Sequence, residues 1–277
     1  MIRVEDLSYQ YEPKSDRVLN GISIEIEQGK HVGVIGPNGS GKTTFVRHLN
    51  GLLTPTAGEV WVEEMNTKDP VAVQKIRQQV GMVFQNPDSQ IIGMSVEEDV
   101  SFGPGNLGLS PIDIQKRVKE SLIVVGMEHY AQRPPHTLSN GEKQLVAIAG
   151  VLAMEPTVII FDEPTTYLDP SSRKSVLQVI AELNKKGITI VHVTHDMDEV
   201  AQADEVVVLH AGRIAMNGSP VEVFARVEWL QGLGVGVPMV TEVMWKLRQT
   251  GVDVRTDIFS LDEACTELSA LIRPQTG

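Results

Sequence analysis

Short apolar runs alternate with amphipathic stretches along most of this chain. Ile2–Leu7 and Ile22–Glu27 alternate apolar and polar residues, which predicts two half-exposed strands, with a polar turn over Pro13–Asp16 between them. His31–Ile35 is a short apolar run that ends in a glycine-rich loop, Gly36–Gly41, and Lys42–Leu52 reads as a helix. A strand at Glu59–Val62, a helix at Val71–Gln78 and a strand at Val80–Phe84 follow. From Asn86 to Pro135 strand signals thin out while Val118, Leu122 and Val125 recur at helical spacing, so a mostly helical subdomain is expected between two strands of the main sheet. Asn140–Met154 is a helix whose later part is apolar nearly all round and should be buried. Val158–Phe161 and Ile188–Val193 are continuous apolar strands suited to the centre of a parallel sheet. Between them lies the amphipathic helix Ser171–Lys186, ended by Gly187. Val206–His210 and Arg213–Met216 flank Ala211-Gly212, a hairpin signal. Past about Ala225 the pattern loosens through Gly232, Gly234, Gly236 and Pro238. Two helices are expected there, Met239–Gln249 and Leu261–Ile272, the second opened by a capping box of Ser260 and Glu263. Strands alternating with helices imply right-handed crossovers and a largely parallel α/β sheet.

Composition narrows the class. The 277 residues suffice for one large α/β domain with an appendage, and 42% hydrophobic with 22% charged residues is ordinary for a globular chain. A net charge of −12 argues against a general nucleic-acid binder, which needs cations to displace counterions at phosphates. The single cysteine, Cys265, excludes an intrachain disulfide. It stands among Leu261, Ala264, Leu268 and Leu271 at helical spacing and is expected to be a small core residue. Met1–Gln10, with Arg3, Glu5 and Asp6, is unlike a signal peptide. The best apolar run, Leu145–Met154, is about half of what a bilayer span requires, so the chain is expected to serve a membrane only by docking.

The glycine-rich loop carries the clearest chemistry. Gly36-Pro37-Asn38-Gly39-Ser40-Gly41-Lys42-Thr43 fits the phosphate-loop pattern G-x-x-x-x-G-K-[ST]. Main-chain amides from Gly36 to Thr44 would wrap phosphate oxygens, and the helix that follows aims its N-terminal dipole at the same anion. Lys42 would place a charge near the β- and γ-phosphates, and the Thr43 hydroxyl is a hard oxygen ligand for Mg²⁺. A chance glycine-rich turn is the competing reading, disfavoured by the apolar strand before the loop and the helix after it.

Val158-Ile-Ile-Phe ends in Asp162-Glu163, which a buried strand would deliver to the carboxyl edge of the sheet. There Asp162 would hold Mg²⁺ and Glu163 would orient or deprotonate an attacking water. Two solvated acids at a strand end are the alternative. His195 ends another apolar strand and would share that edge, within reach of a γ-phosphate. Gln85 is read equally as a group reaching the metal or the water and as a surface glutamine opening a loop. His192, in the same strand as His195, is assigned no role.

Taken in order, these residues resemble the ATP-binding subunits of ABC transporters over residues 1–225. Leu138-Ser139-Asn140-Gly141-Glu142 is similar to the signature L-S-G-G-Q, Leu168-Asp169 to the D-loop, His195 to the switch histidine and Gln85 to the Q-loop. Tyr11 is placed like the aromatic residue that stacks on adenine. Gln85–Gln90, Val96–Pro104, Asn106–Leu109, Gly218–Phe224 and Gly232–Gly251 resemble the ATPases of energy-coupling factor transporters. The resemblance implies a P-loop NTPase of the ABC type: a mainly parallel sheet, an N-terminal antiparallel β region, a helical subdomain over about residues 86–154, and a small C-terminal helical extension over 226–277 that is a candidate dimer contact. It implies ATP and Mg²⁺ as cofactors, catalysis by Glu163, His195 and Gln85, metal contacts from Thr43, Gln85 and Asp162, and phosphate contact from Ser139, Asn140 and Gly141 in trans. It also implies partners: a second, related ATPase subunit, a transmembrane coupling protein and a substrate-capturing membrane subunit, assembled at the cytoplasmic face of the cell membrane. An ordinary ABC importer or exporter subunit is the second reading, and a soluble ABC ATPase without a transport role is the third. Asn140 in the Gly-Gly pair, Glu142 for Gln, Leu145 for a basic residue and Tyr167 for a small one depart from the family pattern.

Overall fold

The structure, a computed structural model, describes residues 1–13 and 15–272. Lys14, within the turn expected over Pro13–Asp16, and residues 273–277 lie outside that description. The chain opens with β1 (Ile2–Tyr9), β2 (Leu19–Ile26), β3 (His31–Ile35), α1 (Lys42–Leu49), β4 (Ala57–Val62), β5 (Met65–Asn66), α2 (Pro70–Gln79) and β6 (Val80–Val83). The insertion carries α3 (Val96–Asn106) and α4 (Pro111–Val124) and leads into α5 (Asn140–Leu152). The chain then returns to the sheet with β7 (Val158–Asp162), α6 (Pro170–Lys185), β8 (Thr189–Val193), β9 (Glu205–His210) and β10 (Arg213–Gly218). It closes with α7 (Pro220–Phe224), α8 (Val227–Gly232), α9 (Met239–Gln249) and α10 (Leu261–Ile272).

Two sheets form. The antiparallel one has the order β2-β1-β4-β5; the other has the order β10-β9-β3-β8-β7-β6 and is parallel except for the β9–β10 hairpin. Every residue of β7 and β8 is buried, which explains their unbroken apolar runs. In the hairpin turn Ala211 and Gly212 have φ of 47° and 74°, the left-handed pair that a tight two-residue connection requires.

One apolar cluster fills the space between the two sheets around Phe45, Val46 and Leu49 of α1. A second joins the main sheet to α4, α5 and α6 around Phe161 and Ile148. Phe45 and Phe161 are fully buried, each stabilising by roughly 1.5–3 kcal/mol relative to exposure. A third cluster seats Val227, Leu230, Val235 and Val237 against Ile35, Val206 and Val208, and a separate small one joins α9 to α10 through Met244, Ile258 and Ala264.

Two expectations are corrected. The first helix ends at Leu49 rather than Leu52, because Gly51 turns left-handed at φ 68° just beyond the Asn50 cap. Cys265 is exposed, not core: Ala264 and Leu268 carry the packed stripe of α10, and Cys265 lies about 100° round the helix from Ala264. Among the described residues no helix is long and apolar enough to cross a membrane.

Candidate functional site

Register brings the site together. In the parallel sheet Val34 of β3 lies beside Val193 of β8, and Val193 beside Asp162 of β7. The three strands therefore end level, and the loop after Ile35, the acids at 162 and 163, and His195 emerge along one carboxyl edge. Residues far apart in the chain meet because three short buried strands run parallel without slip.

The loop over residues 36–41 is shaped by close approach. A Cβ on Gly36 (φ 152°) would stand 2.1 Å from the Leu209 carbonyl oxygen, and one on Gly41 (φ 101°) would stand 2.8 Å from Leu19 Cδ2. Gly41 opens α1 without a side-chain cap, leaving first-turn amides directed at the loop's hollow. Buried Lys42 folds back across this hollow, its Nζ donating to the carbonyls of Gly36 at 2.9 Å and Pro37 at 3.2 Å. Burial pushes the Lys42 pKa down, and the Glu163 and Asp162 carboxylates oppose that shift. Ser40 Oγ is buried without a hydrogen-bond partner, a polar group that a phosphate oxygen would satisfy. Pro37, Asn38 and Gly39 form the loop's outer arc, with Asn38 and Gly39 exposed.

Asp162 and Glu163 are neighbours with different surroundings. Asp162 is buried, and its Oδ1 accepts from Thr43 Oγ1 at 3.0 Å. Burial raises its pKa, opposed by the Thr43 hydrogen bond and by Arg47. Glu163 has φ 52°, a strained value for a residue with a side chain, and its N–H donates to Val193 O at 2.9 Å, so β8 holds the kink. Oε2 of Glu163 receives Gln85 Nε2 at 3.1 Å and Thr166 Oγ1 at 3.2 Å, and stands 3.5 Å from Nδ1 of the half-exposed His195. Gln85 is thus gathered to Glu163, while Thr43 and Asp162 form the second pair.

Tyr11 is exposed beside the start of α1, its hydroxyl 3.0 Å from Thr44 Oγ1. It meets Tyr9 edge-to-face at 5.0 Å, and Tyr9 meets His48 at 4.6 Å, so an aromatic flank leans on α1. Ser139 and Asn140 lie elsewhere, exposed at the start of α5. Ser139 Oγ accepts the Glu142 N–H and Glu142 accepts the Ser139 N–H, a complete capping box. Gly141 is obligatory there, since a Cβ would stand 2.3 Å from Ser172 Oγ of α6. Among the described residues no hydrogen bond joins 139–141 to 36–44.

Some participants escape sequence reasoning. Thr166 bonds Glu163, and Gln144, fully buried, donates to the Phe84 carbonyl at 3.3 Å and so steadies the strand end before Gln85. Glu199 sits in a buried polar network beneath His195. Its only sequence signal is that it follows His195 by four residues, in a run that reads as a solvated turn.

A hydroxyl and a carboxylate are hard oxygens of the kind Mg²⁺ takes, and Thr43 and Asp162 offer them beside the glycine-rich loop. Among the described residues no group of three or more His, Cys, Asp or Glu side chains would hold a metal unaided, so a cation here would share its shell with phosphate oxygens and water.

Comparison with known proteins agrees with this geometry. Residues 19–166 match the family described as ABC transporter. The chain is 51% identical over 270 residues to the cobalt import ATP-binding protein CbiO of Syntrophus aciditrophicus, covering 98% of this chain and 96% of that one. It is 49% identical to the energy-coupling factor transporter ATP-binding protein EcfA1 of Caldanaerobacter subterraneus subsp. tengcongensis, covering 95% and 96%. Among solved structures, cbiO1 of Clostridium perfringens, part of the ABC transporter complex cbiONQ, superposes with a TM-score of 0.77 at 39% identity, covering 90% of this chain and 96% of that one. A dimeric ATP-binding cassette in a post-hydrolysis state, bound to ADP and phosphate, superposes at 0.71 with 30% identity, covering 79% and 99%.

Proposed function

The chain belongs to the ABC transporter family, alongside the energy-coupling factor ATP-binding proteins, and on that premise we propose how its residues bind and hydrolyse ATP to energise a membrane importer of micronutrients. The observation that carries the reading is the common sheet edge, where the loop at 36–41, the Thr43–Asp162 pair and the Gln85–Glu163–His195 group converge.

The amides of residues 36–44 cradle the β- and γ-phosphates, with Lys42 leaving its two carbonyl acceptors to meet them. Tyr11 supplies an aromatic face for the adenine. Thr43 and Asp162 would hold Mg²⁺, and Gln85, which donates to Glu163, would offer its amide oxygen to the same ion. The bound cation supplies charge neutralisation at the phosphates. Glu163 accepts a proton from the attacking water, and His195 contacts the γ-phosphate. Ser139, Asn140 and Gly141 of one subunit complete the site of another, so two ATPase subunits close around ATP.

Transmission to a membrane partner has a surface to use. A groove of about 300 Å³ lies between β6 and the insertion, lined by Leu52, Phe84, Gln90, Ile92, Phe102 and Met154. Leu52, Ile92 and Phe102 are exposed apolar residues, and the groove is walled by the segment that follows Gln85. A helix of a transmembrane coupling protein fits such a surface, and motion of Gln85 would reach it through the chain. Such docking puts the chain at the cytoplasmic face of the membrane, with residues 1–225 as the ATPase domain, about 86–154 as its helical subdomain and 226–277 as an extension open to dimer contact.

Purifying the tagged chain from membranes tests the assembly: a second ATPase, a coupling protein and a substrate-capturing subunit are the expected companions. In that complex Glu163→Gln should lower kcat at least about 100-fold while ATP affinity stays within about 2-fold. Undiminished phosphate release would remove Glu163 from the role of base.

A further inference from the structure

Behind the Glu163 carboxylate stands a second, wholly buried one. Glu199 closes the short turn Met197–Glu199 that follows His195, and its side chain is 1% exposed. Its Oε1 accepts Thr165 Oγ1 at 2.6 Å and lies 2.9 Å from Arg173 Nε of α6. Its Oε2 accepts Thr194 Oγ1 at 2.7 Å, with His192 Nε2 3.3 Å away, off the line of a good hydrogen bond. Burial acts to raise its pKa, but the contacts from His192, Thr165 and Thr194 outweigh it and leave the carboxyl at about 2.

The two carboxylates are arranged in parallel. Thr166 and His195 contact Glu163; their immediate chain neighbours, Thr165 and Thr194, both donate to Glu199. One buried charge therefore fixes the loop after Glu163 and the end of β8 at a set separation. Arg173 adds a third tie, since it also pairs with Asp196, the residue after His195. A buried ion pair is a weak source of stability, and an apolar group of similar volume often serves packing as well or better. Its geometry here is directed at the two segments that face the reacting group.

We infer that Glu199 is a positioning residue for hydrolysis, holding the His195 turn and the Thr165–Thr166 loop at the distances from Glu163 that turnover requires. The inference rests on the role proposed above for His195. Glu199 acts through Thr194, Thr165 and Arg173.

A double-mutant cycle on the intact complex tests it. Glu199→Gln, which keeps the shape and removes the charge, should lower kcat about 10-fold while KM for ATP stays within about 2-fold. In a His195→Ala background the same substitution should lower kcat by only about 3-fold, because one of the two segments it positions no longer carries a group to the reaction. A residue needed only for folding would lower both backgrounds by the same factor through loss of active protein, and that outcome overturns the inference. Thr194→Val removes one donor to Glu199, along with the acceptor of the Asp196 N–H, without stranding a charge, and covers the case in which Glu199→Gln fails to assemble. It should lower kcat about 3-fold in the native background and leave His195→Ala unchanged; equal factors in both overturn the inference. If His195→Ala itself leaves kcat intact, the role proposed for His195 falls, and this inference falls with it.

Discussion

The starts of α1 and α5, both assigned to phosphate in the reading proposed above, are built in opposite ways. Helix α1 opens from an uncapped glycine, with buried Lys42 folded over its first turn and acids from β7 alongside. Helix α5 opens from an exposed serine whose capping box satisfies two of its own amides, and Ser139 N–H holds the Glu142 carboxyl below its usual range. In the reading proposed above, the first end is the anion receptor. The second spends the Ser139 and Glu142 amides internally and keeps the Ser139 hydroxyl and the Asn140 and Gly141 amides to offer. With no hydrogen bond to its own loop among the described residues, such an end suits a phosphate held by another subunit.

Three tests sharpen that contrast. Lys42→Ala should weaken ATP binding by one to two orders of magnitude, about 1.5–3 kcal/mol for a lost charge-assisted bond, in the isolated chain as well as in the complex. Isothermal titration with ATP checks this, and unchanged affinity would count against the phosphate loop.

Acid should loosen the α1 end first. His48, fully buried in α1, gives its Nδ1 to the Thr44 carbonyl at 2.7 Å, leaving Nε2 buried without a partner. Burial lowers its pKa from 6.5 to about 4, opposed by the Thr44 bond. Between those values the unfolded chain binds more protons than the folded one. Stability is therefore full above pH 6.5 and is lost as pH falls toward 4, by on the order of 2 kcal/mol between pH 7 and 5. His31, also lowered to about 4 by burial and by His192, adds to the same slope. Helix α5 contains no histidine. Hydrogen exchange at pH 5 should show α1 amides losing protection ahead of α5 amides; equal loss in both would place the weakness elsewhere.

Ser139→Ala gives the smallest effect of the three. It should leave ATP affinity of the isolated chain unchanged, lower turnover of the complex about 10-fold, and cost α5 about 1 kcal/mol for its lost cap. A fall in the isolated chain's affinity would contradict an action in trans.

Legibility in the sequence followed the same division. The receptor end was open to reading because each of its groups ends a short apolar run: Ile35 before the loop, Phe161 before Asp162, Thr194 before His195. A buried strand is continuous and short, so its end is sharp, and parallel strands ending level need no further information to bring three segments together. Strand order was beyond reach, because pairing β8 between β3 and β7 depends on contacts spread over the whole sheet. Glu199 was hidden because a buried acid and a solvated one carry the same letter; only Thr165, Thr194 and Arg173 around it distinguish them. Cys265 misled for the converse reason, since a thiol beside an apolar stripe matches the periodicity without lying on the packed face. The last turn of α1 failed at Gly51, whose left-handed backbone no hydrophobic pattern encodes.

The most direct measurement is a structure of the assembled complex carrying Glu163→Gln with ATP and Mg²⁺. The account predicts the triphosphate within hydrogen-bonding reach of the amides at 36–44 and of Lys42, its terminal phosphate facing position 163 and His195, and a Ser139 from the other ATPase subunit, or that subunit's equivalent, closing the far side. A nucleotide bound anywhere else, or a loop at 36–44 that stays empty at saturating ATP, would contradict it.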